Sequence, residues 1–482
     1  MFYPTFRFTL LTLLTTFAFS AVTFGQEKMF RAGAYAQDIT PPKFPISVNG
    51  GMRDRQATGS HDTLHARCIA LDDGSTKIVL VVVDSCMIPR DITDKAKKLA
   101  YKTTKIPAHH ILISATHTHT APTVTGVFQS DPDEGYRKFL AKTIAVGIKK
   151  AVDNLEPARI GWGVGQNPNQ VFNRRWVMKT DTLNPDPFDK NTDTVRMNPG
   201  YQNPGLNKPA GPIDPDVSIL SVQARDGRPI ALLANYSLHY VGGVQPLSAD
   251  YFGAFAERMA QLLKVTNSKR AFVGIMSNGT SGDINNINYG GPAPKRRQPY
   301  EQIRVVANDV AATAFDAYKK IQYQDWVSLD MAQKELELGV RLPTKKDLAR
   351  AKKILADARK AKKKVLTTRP EIYARESVLL AKYPAKVKLL VQAIRIGDLG
   401  IVSTPCETFV EIGLDIKKRS PLKHTFTIEL ANGYNGYLPT PRQHKLGGYE
   451  TWRARSSYLE ENASVAITGA IMRLLKEVNR SK

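Results

Sequence analysis

Cysteine is scarce in this chain of 482 residues: only Cys68, Cys86 and Cys406 occur, far apart. Three thiols cannot all pair, and their spacing fits neither a zinc knuckle nor a redox Cys-x-x-Cys motif, so they are expected as small core residues. Acidic residues are outnumbered, 44 against 68 basic, which leaves a formal net charge of +24. Such a balance favours anionic partners, an anionic membrane or glycan surface in particular. The basic residues are nevertheless spread out. Their densest run, Lys345 to Lys364, carries Leu348, Ala351, Leu355 and Ala358 at helical spacing, the pattern of a solvated helix face. No Gly-x-x-x-x-Gly-Lys loop is present, which argues against nucleotide binding. Beyond the first twenty residues no stretch is long and apolar enough to span a bilayer.

What is present starts at the N-terminus. Met1 to Ser20 holds a single Arg7 and an apolar run from Phe8 to Phe19, followed by small residues. This reads as a signal peptide over residues 1–25, too short for a comfortable span, and it predicts a secreted or periplasmic protein. An exported chain rarely meets nucleic acid, so no nucleic-acid partner is expected. The remaining residues, 26–482, are read as one large domain, and 42% hydrophobic content is enough for a sizeable core.

The chain turns on Ile111 to Pro122, where a short apolar run ends in Thr-His-Thr-His-Thr. Side chains of a strand alternate faces, so His117 and His119 are predicted on one side, at the point where a rigid strand gives way to a loop. Imidazoles held this way suit a metal with an open coordination position. The neighbouring His109 and His110 read as surface residues. Pro229 to Tyr236 repeats the design and delivers His239. Two strand ends bearing histidine strengthen the metal reading.

Around these, His65 to Leu71 and Lys77 to Asp84 read as strands of a hairpin through Asp73-Gly74, and Asp226-Gly227 marks a second hairpin. Helices are predicted over Asp91–Tyr101, Tyr136–Asn154, Asp250–Leu263, Tyr300–Ile321 and Thr344–Val365, the last capped by Thr344 with Asp347. A final helix is predicted to open at Ser457 with Glu460. Thr180 to Pro215, rich in Pro, Asn, Gly and Asp, reads as a long loop, a lid or a disordered segment. Lys386 to Ile396 and Leu399 to Ser403 are strands, the second ending near Glu407. Asp84, Asp283 and Asn285 are the candidates for supporting the ligands or touching substrate. The order of elements gives an α/β fold of mixed sheets packed together and flanked by helices.

These residues carry a resemblance. From Gly33–Pro42 (Gly-x-x-x-x-Asp-Ile-Thr-Pro-Pro) through Ala115–Thr120 to the Tyr449 region, the chain resembles the neutral, non-lysosomal ceramidases and their bacterial homologues. The resemblance implies a zinc-dependent hydrolase of an N-acyl amide, with one Zn2+ held by His117, His239, Glu407 and Tyr437. It also implies Arg174 as the arginine that polarises substrate, His119 as the proton shuttle, and Tyr449, twelve residues past Tyr437, as a second tyrosine at the site. The substrate so implied is a lipid, ceramide. Where that family has Gly-Asp-Val-Ser-Pro, this chain reads Gly282-Asp283-Ile284-Asn285-Asn286. It also stops without the C-terminal immunoglobulin-like domain of full-length ceramidases.

Two other readings compete: a zinc enzyme acting on another acylated amide or ester or on an anionic carbohydrate, and a catalytically silent lipid- or glycan-binding homologue. The His-x-His motif also occurs in amidohydrolase barrels and metallo-β-lactamase-like folds. Ala121 stands where the latter would need Asp, and the irregular spacing of elements disfavours an eight-fold barrel.

Overall fold

The structure is a computed structural model that describes residues 1–5, 28–179, 185–243, 245–265, 271–295 and 297–480. Most of the expected signal peptide thus lies outside the described residues. No described helix is long and apolar enough to cross a membrane.

Eight strands form the larger sheet: β1 (Arg31–Asp38), β2 (His65–Asp72), β3 (Lys77–Val83), β4 (Ile111–Ala115), β5 (Glu156–Gln166), β6 (Asp216–Ala224), β7 (Pro229–Tyr236) and β8 (Val273–Asn278). Their spatial order is β8-β7-β6-β5-β1-β2-β3-β4. Only the two edge pairs, β7/β8 and β3/β4, are parallel. A second sheet runs β9 (Leu329–Gly339), β10 (Lys386–Ile396), β11 (Leu399–Ser403), β12 (His424–Ile428), with β11/β12 parallel.

Burial explains the layering. β3 is apolar on both faces: Ile78, Leu80 and Val82 join Ile394, Ile401, Phe426 and Ile428 of the second sheet in one core, while Val79, Val81 and Val83 face helices. A continuous Val/Ile/Leu run of this kind is what a strand covered on both sides requires. The outer face of the large sheet is covered by α1 (Arg90–Thr104) and α2 (Glu134–Asp153) on one half, and by α3 (Asp250–Leu262) and α4 (Glu301–Tyr318) on the other. Gly33 permits the close approach of α2, because a Cβ there would overlap the Ala151 carbonyl. Beyond the second sheet lie α7 (Val410–Arg419) and α8 (Ala463–Arg480), so the order of layers is helix, sheet, sheet, helix. All three cysteines are buried and unpaired, as expected.

By the parity of the ladders β7 and β4 point in opposite senses, yet both deliver site histidines. Sheet twist resolves this: roughly 20–25° per strand pair, accumulated over the steps between them, brings the edges round until β8 lies against β2, β3 and β4.

Several expectations are corrected. The 180–215 segment is not simply a loop. Its Val195–Met197 and Leu206–Pro209 flank Arg175–Met178 in a three-stranded sheet, and residues 180–184 fall outside the description. The last helix starts at Ala463, not at Ser457, whose hydroxyl instead accepts from Arg341; Glu460 takes the Gly339 N–H. The Lys345–Lys364 run holds α5 (Lys345–Lys360), with the Thr344–Asp347 capping box as expected, but it pairs with α6 (Arg369–Leu380), which hydrophobic periodicity did not reveal. Its own capping box, Thr368 with Glu371, was the available signal.

Candidate active site

His117 lies two residues beyond β4 with φ +72°, a left-handed conformation. The pleat expected to align it with His119 therefore ends before it, and a turn performs the alignment. A non-glycine residue held in this region costs of order 1–3 kcal/mol and is found where the surroundings fix it. Here they do so through Thr116 N–H to the Val83 carbonyl and His117 N–H to the Ser85 carbonyl, each at 2.9 Å. His117 Nδ1 is 2.7 Å from the Cys86 carbonyl. A carbonyl only accepts, so Nδ1 carries the proton and Nε2 presents its lone pair inward. His239 is built alike: Nδ1 lies 3.2 Å from the Ser281 carbonyl, and Nε2 faces inward, 3.0 Å from Nε2 of His117.

Glu407 completes the convergence. Its Oε2 is 3.3 Å from His117 Nε2 and has no hydrogen-bond partner among the described residues, although the side chain is buried. The other oxygen accepts from Tyr434 Oη at 3.0 Å. Glu407 and Tyr437 are register partners in a two-stranded parallel ladder, which fixes both relative to the second sheet. Tyr437 Oη accepts from Arg174 Nη2 at 3.0 Å. Burial, and then Glu407, raise its pKa well above the ordinary value and keep it a phenol rather than a phenolate in this arrangement.

Two inward imidazole lone pairs and an orphaned carboxylate oxygen need a cation. The donor atoms of His117, His239 and Glu407 lie within 4.8 Å of one another, the spread that a single metal ion spans. Electrostatics agree. Burial opposes a charge on His117, but Cys86 and Glu407 outweigh it and raise the pKa; His239 is pushed well down by burial and then Arg174. Cys86, His117 and His119 form a second cluster, but Cys86 Sγ meets the Nδ1 side of His117, already committed to a carbonyl.

Arg174 is held by Glu450, whose Oε1 accepts from Nε at 3.0 Å, and by the Gly282 carbonyl, 2.8 Å from Nη2. Its Nη1 faces His239 Nε2 at 3.2 Å. Glu450 is wholly buried and also takes Arg175 Nη1 at 2.6 Å, so one carboxylate anchors two guanidinium groups. His119 reaches the centre with Nε2 3.1 Å from His117 Nε2, stacked on Tyr240 at 3.7 Å between centroids. Burial and then His117 push its pKa well below the ordinary value, so it stands neutral. Tyr449 lies with its ring 5.7 Å from that of Tyr437.

Three expected residues sit elsewhere in the scheme. Asp84 is a correction: its carboxylate pairs with Arg67 at 2.6 Å and takes the His65 N–H, so these contacts go to the neighbouring strand and not to His117 or His239. Asp283 braces the strand before Arg174, accepting from Asn173 Nδ2 and Val410 N, each at 2.8 Å, while its carbonyl takes Arg174 N–H. Asn285 is not at the donor cluster; it lines a cleft of about 640 Å³ that opens onto Arg174, His239 and Tyr240. Sequence reasoning missed Tyr434, Glu450, Tyr240 and Glu429. For Glu429 the signal was a carboxylate directly after a buried strand, the same one used for Glu407.

Glu429 joins the two halves of the centre: it accepts from Ser281 Oγ and Thr408 N, each at 2.6 Å. Burial raises its pKa from 4.5 to about 8. A carboxyl whose folded pKa is raised stabilises fully below its unfolded value, and that stability is lost as pH rises through the folded one. Glu429→Gln is therefore expected to flatten the fall in urea midpoint between about pH 4.5 and 8; an unchanged slope would show that another group sets it. Gly50, at φ +97°, lies flat against His119, and an added Cβ would overlap the imidazole. Gly50→Ala is expected to keep bound metal while turnover falls about 100-fold, the scale of a misplaced acid–base group; loss of metal instead would place His119 among the ligands.

Fold and site together define a class: a hydrolase of mixed α/β architecture with a candidate metal centre. The chain belongs to the neutral/alkaline non-lysosomal ceramidase family, whose N-terminal sequence model matches residues 30–301. The fold is shared with neutral ceramidase from Pseudomonas aeruginosa, with a TM-score of 0.69 at 18% identity over 94% of this chain and 75% of that one. It is equally shared with a ceramidase complexed with C2, with a TM-score of 0.70 at 18% identity over 94% and 76%.

Proposed function

We propose that this protein is an exported, zinc-dependent hydrolase that cleaves an N-acyl amide bond, as ceramidases do to ceramide. The observation that carries the reading is the buried convergence of His117 Nε2, His239 Nε2 and the unpartnered Glu407 Oε2. These residues, with Tyr437 beside them, would hold the ion. Zinc supplies there a Lewis acid and a water whose pKa is lowered to about 7. The chain's own groups do the rest. Neutral His119 can take a proton at Nε2 during attack and return it to the departing amine, the two halves of general base and acid work. Among the described residues Arg174 Nη1 is the guanidinium nitrogen without an oxygen partner, so it and the Tyr449 hydroxyl are the donors for a developing oxyanion. Glu450 keeps the guanidinium in place. Family membership supports a lipid amide as substrate, and the C2 complex of a relative supports ceramide. The apolar run Phe8–Phe19 supports export. The test is elemental analysis of the purified protein with release of fatty acid from a short ceramide and from a panel of other N-acyl amines, before and after chelation. Near-stoichiometric zinc with chelator-sensitive release of any of them is the expected result. A metal-free protein that still cleaves amides would sink the reading.

A further inference from the structure

We infer that the hairpin of α5 and α6 is a docking face for an anionic phospholipid bilayer, and that it brings the bilayer to the Tyr449 side of the centre. From Thr344 to Glu371, eleven Lys and Arg residues stand against Asp347, Asp357 and Glu371. Two of those carboxylates are already occupied. Asp347 takes Arg453 at 2.8 Å and caps at Thr344, and Glu371 takes Lys363 and caps at Thr368. Most of the positive charge is therefore left for something outside the chain.

The helix sorts this charge onto one side. With 3.6 residues per turn, Lys345, Lys346, Lys352, Lys353, Arg359 and Lys360 of α5 fall within an arc of about 140°, and Ala349 and Ala356 are its other members. All six cations are exposed, and the ion pairs of this stretch among the described residues run through Arg350, Lys363, Asp347 and Glu371 instead. Asp357 stands at the edge of the arc. The opposite side carries Leu348, Ile354 and Leu355, half-buried, and Ala351 and Ala358, buried, and α6 is the helix packed on α5. With its apolar side taken up, α5 cannot roll into a bilayer as a free amphipathic helix does, so its contact with lipid is by charge to the headgroups.

The turn after α5 favours a bilayer over an acidic glycan. Lys362, Lys363 and Lys364 lead into Val365, a large apolar side chain left 48% exposed. At a membrane surface the lysines meet phosphates while the valine meets the acyl boundary; a glycan offers the valine nothing. The next residue fixes where the tip leads. Leu366 N–H donates to Gln129 Oε1 at 2.9 Å, and Gln129 Nε2 donates to the Leu366 and Met52 carbonyls, each at 3.0 Å. Met52, with Arg369 at the start of α6, Tyr449 and Trp452, lines an opening beside the centre. A bilayer held at Val365 thus lies one residue and one glutamine side chain from the wall of that opening.

This docking does not depend on the amide-hydrolase reading, and its test needs no turnover. The purified full chain is sedimented with vesicles of phosphatidylcholine alone and of phosphatidylcholine mixed with phosphatidylglycerol. Binding is expected to the anionic vesicles only, and to be lost as NaCl rises from about 0.1 M to 1 M, where the screening length falls from about 10 Å to 3 Å. Lys352→Glu with Lys353→Glu is expected to weaken it at least 25-fold, at roughly fivefold for each basic residue near an anionic surface. Lys138→Glu with Lys142→Glu, an equal change of charge on exposed positions of α2, is expected to leave it almost unmoved. Equal losses in the two pairs would show that net charge alone is read, and would overturn the inference. So would an absence of binding to anionic vesicles, or binding to alginate beads without binding to vesicles, which would make the partner a glycan.

Discussion

His117→Ala is expected to come off the column without stoichiometric zinc and with kcat/KM for amide cleavage lowered about 10⁴-fold or more, a loss of roughly 5.5 kcal/mol of transition-state stabilisation at 1.36 kcal/mol per decade. The size follows from what that one imidazole touches. Its Nε2 is the hub, 3.0 Å from His239, 3.1 Å from His119 and 3.3 Å from Glu407. Removing it leaves a buried carboxylate facing two neutral rings, with too few donors for an ion. His119→Ala should behave otherwise. His119 and His117 are two residues apart and equally close to the centre, but of the two only His117 has an Nε2 that meets both His239 and Glu407. The expected result for His119→Ala is retained zinc with turnover down about 10²–10⁴-fold, the range of a lost acid–base group. Zinc content and single-turnover rates on the two variants separate the roles, and zinc loss from both would make His119 a ligand.

Much of this centre was legible in the sequence for a simple reason. Buried strands announce themselves by apolar runs, and polar residues immediately after such runs have few places to go but the rim of the sheet. His117, His239 and Glu407 were all found this way, and the turns at Asp73-Gly74 and Asp226-Gly227 announced the two antiparallel hairpins. The convergence itself was not legible. It depends on twist accumulated across the large sheet and on a left-handed residue at His117, and neither leaves a periodic trace. The same rule misled at Asp84, which also follows a buried strand. Its partner Arg67 lies on the adjacent strand β2, and an ion pair with a neighbouring strand looks identical in sequence to a carboxylate free for a site. Tyr434 and Glu450 were hidden differently: one lies in an irregular stretch three residues before Tyr437 and the other in a single 3-10 turn next to Tyr449, where the direction of a side chain is set by tertiary contacts. In the 180–215 segment, strands of three and four residues among prolines and asparagines are too short for alternation to register.

Glu450→Ala is expected to be the most damaging substitution to stability at the site that removes no metal ligand, lowering the free energy of unfolding by about 3–5 kcal/mol, the scale of breaking a buried ion pair from one side. Arg174 and Arg175 are both buried, and both lean on this single carboxylate. Arg175 retains the Gly447 carbonyl and Gln443, and Arg174 retains the Gly282 carbonyl and Tyr437, so the guanidinium hydrogen bonds are only partly lost. The charges, however, are left uncompensated on two buried side chains. Because Arg174 cannot shed its proton, relief must come from movement: the guanidinium swings towards the remaining anion, Glu407, and competes for the oxygen that the metal needs. Zinc affinity should therefore fall along with stability, though Glu450 touches no candidate ligand. Glu450→Gln keeps the shape and one acceptor, and it should recover packing without recovering charge. Urea unfolding and zinc titration of the two variants decide the matter. If Ala and Gln weaken zinc equally while Gln restores most of the stability, the carboxylate acts on the metal centre through charge; if Gln restores both, Glu450 is a spacer that holds Arg174 by shape and hydrogen bonding.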